Sequence, residues 1–167
     1  MAWKKRNYKK KKKQKSPEEI TLIDVEAKAL YLLSMRDHAT AELRKKLKER
    51  KYPMEMIDET IDRMTSYGYL NDERVSQTMT RMLIRQNWGP YQIRNKLKLK
   101  GFSEKHIDQA FDELVEEDTW LEHAQDRLSI KFKKPVEEMD QDEKQKAFRH
   151  LQYRGFGGDV IRTLLFS

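Results

Sequence analysis

The side chains that could carry out chemistry are few and lie far apart along the chain. The 167 residues include no cysteine, which excludes disulfides, thiolate nucleophiles and cysteine-bound zinc. No HExxH or similar spacing places two imidazoles on one helix face. We therefore expect all four histidines to be surface or packing residues; they are His38, His106, His123 and His150.

Two short motifs have both a chemical and a structural interpretation. Glu116-Glu117-Asp118 could bind a cation, although a solvated junction between helices accounts for it. Residues 155–158 (GFGG) lack the Lys-Ser/Thr pair of a phosphate-binding P-loop, and a turn explains them. We expect no catalytic residue, cofactor or metal site.

Basic residues form the one pattern that indicates a function. Every charged residue within 74–103 is basic. Like charges four residues apart disfavour an isolated helix by about 0.2–0.5 kcal/mol, which an anionic partner would offset; a solvated face without a partner is the alternative. We predict phosphate or acidic-protein contacts from Arg44, Lys48, Arg74, Arg81, Arg85, Arg94, Lys96, Lys98 and Lys100.

The net charge of +7 comes from the first 16 residues. They hold nine of the 35 basic residues and no acidic residue. The rest of the chain therefore has 26 basic and 28 acidic residues. Such a tail is too polar to fold alone, and we expect disorder. It could aid solubility, contact phosphates through counterion release or bind an anionic membrane surface.

Helix start and stop signals predict nine helices that position these side chains. A capping box at 16–19 (SPEE) predicts the first start, and Thr40 is expected to cap the second helix. A helix is predicted to open at Gly89-Pro90 and to end in a tight turn at Gly101. Ser103 is predicted to cap the helix that follows. The expected apolar face of the first helix is Ile20, Ile23, Ala27, Leu30, Tyr31 and Leu33.

A repeated register groups the helices in threes. Leu47, Tyr52 and Ile57 recur as Leu97, Phe102 and Ile107, each 50 positions later, and as Leu151, Phe156 and Ile161, each a further 54 positions on. We predict that these nine residues, together with Trp88, form the structural core of the repeats. Because 38% of the residues are charged and 37% hydrophobic, a thin row of stacked modules fits better than one globule.

The predicted organisation is therefore all-α, with three tandem three-helix repeats in an elongated, curved array. Its parts are a basic tail 1–16 and repeats 17–70, 71–115 and 116–167, the last with a longer loop near 131–142. No apolar run approaches the roughly 18 residues of a membrane span. We expect a soluble, cytoplasmic monomer.

Several segments together carry a family resemblance. They are 31–38 (YLLSMRDH), 42–47 (ELRKKL), 68–74 (GYLNDER), 88–90 (WGP), 100–102 (KGF) and 153–156 (YRGF). In this order they resemble the bacterial RecX family over about residues 24–165. The resemblance implies an all-α array that binds the RecA recombinase filament and inhibits its ATPase, strand exchange and coprotease activity, within DNA repair and the SOS response.

The resemblance also implies a regulator without a reaction of its own. Its partners would be the RecA filament and, weakly or through the filament, single- and double-stranded DNA. The array would lie in the filament groove or block filament extension. The alternative is a DNA-binding or architectural protein that acts without RecA, through its tail and basic helices.

Overall fold

The computed structural model describes residues 19–114 and 119–167. The predicted tail 1–16, most of the capping box at 16–19 and the acidic cluster 116–118 lie outside these ranges. Within them the chain is all-α and contains no strand, as predicted. Its helices are α1 (Leu22–Met35), α2 (Thr40–Lys48), α3 (Met54–Ser66), α4 (Asp72–Arg85), α5 (Pro90–Lys100), α6 (Glu104–Leu114), α7 (Thr119–Phe132), α8 (Gln141–Arg154) and α9 (Gly158–Phe166).

Several helix starts follow the residue types that predicted them. The Asn71 side chain caps α4 by accepting a hydrogen bond of 2.9 Å from the backbone N–H three residues later. Ser103 caps α6 in the same way at 3.3 Å. Pro90 is the first residue of α5, and Asp140 and Glu143 form the predicted capping box of α8. Local signals were sufficient at these positions.

The start of α1 differs from the prediction. The helix begins at Leu22 instead of near residue 17, and Ile20 precedes it. Thr21 is the N-cap, and with Asp24 it forms a capping box in which each side chain bonds the other residue's backbone N–H. This second capping box, five residues beyond the predicted one, sets the start of the helix.

The buried face of α1 was also predicted wrongly. Val25 and Ala29 are fully buried, whereas Ile23 is 75% exposed and Tyr31 56% exposed. Ala27 and Leu30 are exposed as well, and only Ile20 and Leu33 of the predicted face pack against the core. Because α1 carries apolar side chains around most of its circumference, periodicity could not select the face that packs.

Thr40 does not cap α2 as expected. It is the first residue of the helix, and the N-cap position is Ala39, which forms no side-chain cap bond. Instead Asp72 Oδ1, from α4, accepts hydrogen bonds from the Thr40 backbone N–H at 2.8 Å and from its hydroxyl at 3.1 Å. A carboxylate from another element thus stabilises the positive end of α2.

The connection between α7 and α8 is shorter than predicted. α7 continues to Phe132 and α8 begins at Gln141, so the loop spans 133–140 instead of 131–142. A 3-10 helix, Val136–Glu138, lies within it. Pro135 precedes this turn, consistent with the preference of proline for helix starts.

The nine helices of the described ranges form three modules, each with its own apolar cluster. Helices α1–α3, α4–α6 and α7–α9 make the first, second and third module. Eight residues of the predicted register belong to these clusters and are at most 5% exposed. They are Leu47, Ile57, Leu97, Phe102, Ile107, Leu151, Phe156 and Ile161. Tyr52 and Trp88 are half-buried and pack against the first and second cluster.

Consecutive modules meet at the turns that follow α5 and α8. Gly101 and Gly155 adopt left-handed conformations there, with φ of 92° and 88°. A Cβ on Gly101 would lie 2.6 Å from the Cβ of Ala41, and one on Gly155 would lie 2.4 Å from the backbone nitrogen of Gln92. In both cases the turn touches the second helix of the preceding module, so the two junctions pair equivalent elements.

Candidate functional site

Two of the predicted binding residues form equivalent ion pairs within their modules. Arg44 pairs with Asp58 in the first module. Arg94 Nη1 lies 2.6 Å from Asp108 Oδ1 in the second, 50 positions later. The guanidinium of Arg94 also lies 4.4 Å from the centre of the Phe111 ring. These contacts fasten the second helix of each module to the third, so the two arginines have structural partners already.

Four other predicted residues also have partners. Lys98 lies 2.6 Å from Glu104, and Arg74 lies 3.3 Å from Asp37 across the first junction. Lys100 lies 3.2 Å from Glu42, and the Lys96 ammonium lies 4.0 Å from the centre of the Trp88 ring. Sequence spacing showed the cations but could not show these partners.

Arg81, Arg85 and Lys48 are the predicted residues whose charges are not matched. All three are exposed, and none forms an ion pair within residues 19–114 and 119–167. Arg81 and Arg85 lie four residues apart on α4, so they share a face as predicted. Their side chains are available to an anionic partner without breaking an internal pair.

Ionic contacts hold the first junction together. Glu42 Oε1 accepts hydrogen bonds from Arg36 Nη2 at 2.6 Å and from Lys100 Nζ at 3.2 Å. Arg36 belongs to the first module and Lys100 to the second. Burial alone would raise the pKa of Glu42, but the hydrogen bonds from these two cations outweigh it and lower the pKa from 4.5 to about 2.

Substitution of Glu42 by glutamine should destabilise the protein and reduce its acid sensitivity. Because the pKa is lower in the folded state, the carboxylate's contribution is fully present above about pH 4.5 and is lost as the pH falls toward 2. We expect the unfolding free energy at pH 7 to fall by about 1–3 kcal/mol. Urea unfolding across this pH range measures the effect.

Glu104→Gln is the matched control for that substitution. Glu104 pairs with Lys98, but its side chain is 63% exposed, so its loss should cost less than about 1 kcal/mol. An acid dependence that is unchanged in Glu42→Gln would contradict the assignment of this sensitivity to the first junction.

Backbone hydrogen bonds hold the second junction together. The Gly89 N–H donates to the Arg154 carbonyl at 2.9 Å, and the Tyr91 N–H donates to the Gly155 carbonyl at 3.1 Å. The Arg154 guanidinium lies 3.4 Å from the centre of the Trp88 ring and also donates to backbone carbonyls at the end of α4. Salt screens the two backbone hydrogen bonds little, in contrast to the ion pairs of the first junction.

A groove lies beside the first junction and contains residues that the sequence analysis missed. We call it the junction groove; its volume is about 560 Å³. Lys45 and Lys46 of α2 and Lys96 and Lys100 of α5 line it, together with apolar side chains that include Leu99. Only Lys96 and Lys100 were predicted. Lys46 could have been found, because Lys96 is its counterpart 50 positions later.

The histidines have local packing partners. His38 Nδ1 lies 2.9 Å from the Arg36 carbonyl, and His123 Nδ1 lies 2.8 Å from Asn87 Oδ1. His106 contacts Ser103, and His150 Nε2 accepts a 3.0 Å hydrogen bond from Arg127. In the described residues, no group of three or more His, Asp or Glu side chains is placed to hold a metal ion.

None of the helices within residues 19–114 and 119–167 is both long enough and apolar enough to cross a bilayer.

Family models match each of the three modules separately. The first three-helix domain of RecX matches residues 27–64, the second matches residues 71–110 and the third matches residues 117–165. The order of the three matches is the order of the modules.

Curated relatives match over most of their length. A regulatory protein RecX of Pseudomonas fluorescens strain Pf-5 is 35% identical over 147 residues, which covers 87% of this chain and 92% of the relative. A regulatory protein RecX of Vibrio vulnificus is 36% identical over 137 residues, which covers 82% of this chain and 88% of the relative.

Solved structures of similar proteins have the same fold. A crystal structure of a regulatory protein RecX matches with a TM-score of 0.71 at 26% identity and covers 85% of this chain and 73% of that one. RecX from Lactobacillus salivarius matches with a TM-score of 0.71 at 20% identity and covers 86% of this chain and 94% of that one. With one family domain on each three-helix module and relatives matched almost end to end, this chain belongs to the RecX family.

Proposed function

We propose that this chain binds the RecA–DNA filament and inhibits its ATPase, strand exchange and coprotease activities. The relatives named as regulatory proteins support a regulatory role. The structure supports binding through an extended surface, because three modules in a row offer several separate contact regions.

The unmatched cations Arg81 and Arg85 carry the proposal. An exposed arginine pair that meets no carboxylate within the described part of the chain can take up phosphates of the bound DNA or carboxylates of the filament protein. Lys48 adds a third such cation on the first module. Contacts on different modules would be linked by the array, so several weak interactions would add through effective concentration.

Binding would inhibit the filament by favouring one of its states. An array that contacts neighbouring RecA protomers at once binds best when they keep a fixed arrangement, and it shifts the filament toward that arrangement. If turnover of ATP or addition of protomers needs another arrangement, both slow down. The chain itself performs no reaction in this account.

Binding to the filament and binding to bare DNA can be compared directly. The experiment measures fluorescence anisotropy of the labelled chain with RecA-coated single-stranded DNA and with the same DNA alone, over a range of salt concentrations. We expect tight binding to the filament and weaker, more salt-dependent binding to bare DNA. For bare single-stranded DNA, the slope of log affinity against log salt concentration becomes steeper by about 0.7 for each phosphate contact.

A variant without residues 1–16 tests the alternative, in which the tail binds DNA without RecA. Filament affinity should persist in this variant while the salt dependence on bare DNA becomes less steep. Equal affinity for filament and bare DNA, lost together with the tail, would contradict the proposal and favour the alternative.

A further inference from the structure

We propose that the junction groove binds an acidic, amphipathic helical segment of a partner protein. The inference deepens the proposed function, because the segment would belong to the regulated protein, and it rests on that function for the partner's identity only. The chemistry of the segment follows from the groove itself, which combines apolar side chains with several lysines.

The apolar part of the groove comes from α4 and α5. Met79, which is half-buried, and Leu83, which is buried, line its inner side. Leu99 also lines the groove, and its side chain is 80% exposed. Contact with the apolar face of a helix would remove this leucine from water, which stabilises a complex.

Three of the four lysines have no carboxylate partner among the residues that the structure describes. Lys45 and Lys46 form no ion pair there. Lys96 lies over the Trp88 ring and pairs with no described carboxylate, whereas Lys100 is held by Glu42. Three ammonium groups on two helices can therefore bind carboxylates of a segment that lies between them.

The same groove is unsuited to a nucleic-acid backbone. Glu42 and Glu49 line it together with the lysines. A phosphate backbone carries one charge per nucleotide and would bring phosphates against these carboxylates. A peptide helix can place glutamates toward the lysines and apolar side chains toward Leu83 and Leu99, since its faces differ.

The second junction shows that this chemistry is not a general feature of the repeat. The corresponding groove there has a volume of about 430 Å³. Gln92 and Asn95 line it at the positions of Glu42 and Lys45, 50 residues later. Tyr153 stands 54 positions after Leu99. The cationic, apolar groove therefore belongs to the first junction.

The test uses synthetic probes and the full chain. The first probe is a fluorescein-labelled peptide of about 14 residues, four helical turns, with glutamate on one face and leucine on the other. The other probes are an all-glutamate peptide of that length and a thymidine oligonucleotide of equal charge. We expect the Glu/Leu peptide to bind most tightly.

Two variants of the groove and one control test the site. Lys45→Gln/Lys46→Gln and, separately, Leu99→Ser should each weaken binding of the Glu/Leu peptide by about tenfold. All three side chains are solvent-accessible and outside the buried clusters, and thermal unfolding checks that the variants remain folded. Lys105→Gln/Lys146→Gln should leave peptide binding unchanged, because these exposed side chains lie on α6 and α8 and neither lines the junction groove.

The outcomes separate this inference from the proposed function. Peptide binding that is unaffected by both groove variants, or tighter binding of the oligonucleotide through the same lysines, would overturn the inference. No RecA is present in this assay. A chain that binds the peptide in the groove but not the filament would therefore contradict the proposed function alone, whereas the opposite pattern would contradict the groove assignment alone.

Discussion

Replacement of Gly155 by alanine should lower the unfolding free energy by about 2–4 kcal/mol. The residue has φ of 88°, where an alanine is strained by about 1 kcal/mol. The new Cβ would also lie 2.4 Å from the backbone nitrogen of Gln92, so the second and third modules would have to move apart. That movement would weaken the hydrogen bond between the Tyr91 N–H and the Gly155 carbonyl.

Gly68→Ala separates the effect of the junction from the effect of the backbone conformation. Gly68 has φ of 77°, and a Cβ there would meet nothing within 4 Å. Alanine at this position should therefore cost only the conformational strain, about 1 kcal/mol. Urea denaturation of both variants measures the difference, and equal losses would show that the close contact at the second junction does not contribute.

Reversal of Arg81 and Arg85 to glutamate should weaken binding to the RecA filament by at least about tenfold. Both residues are exposed and have no internal ion pair in the described part of the chain, so the variant loses two contacts and adds repulsion without exposing a buried carboxylate. The difference from the unmodified chain should shrink as salt is raised, because salt screens exposed charges. Anisotropy titrations at two salt concentrations measure it.

The control for this reversal changes the same number of charges elsewhere. Lys105 on α6 and Lys146 on α8 are exposed and form no ion pair among residues 19–114 and 119–167. Lys105→Glu/Lys146→Glu should keep filament affinity within about threefold. Equal weakening in the two variants would indicate a response to net charge and would remove Arg81 and Arg85 from the interface.

Much of the fold could be predicted because its signals are local. Pro90, Gly101 and Gly155 act through their own backbone conformations, and the register of Leu47, Leu97 and Leu151 is visible as a repeat. The face of α1 could not be predicted in this way. Which of its apolar sides packs depends on α2 and α3, and that information is not local to the helix.

The candidate site was less predictable, because it depends on contacts between distant residues. Glu42 and Lys100 lie 58 positions apart and meet only because the first two modules stack. Arg94 and Asp108 pair with the same 14-residue spacing as Arg44 and Asp58 in the first module, but neither aspartate was predicted as a partner. Sequence alone identifies the cations, whereas the structure shows which of them remain free to bind a partner.

ATP hydrolysis by RecA on single-stranded DNA tests the central claim most directly. The full chain is titrated into preformed filaments while the hydrolysis rate is followed, with the Arg81→Glu/Arg85→Glu variant measured beside it. We expect the rate to fall as the chain is added, and the variant to need at least about ten times more protein for the same inhibition. A hydrolysis rate that stays constant at saturating concentrations of the unmodified chain would contradict the account.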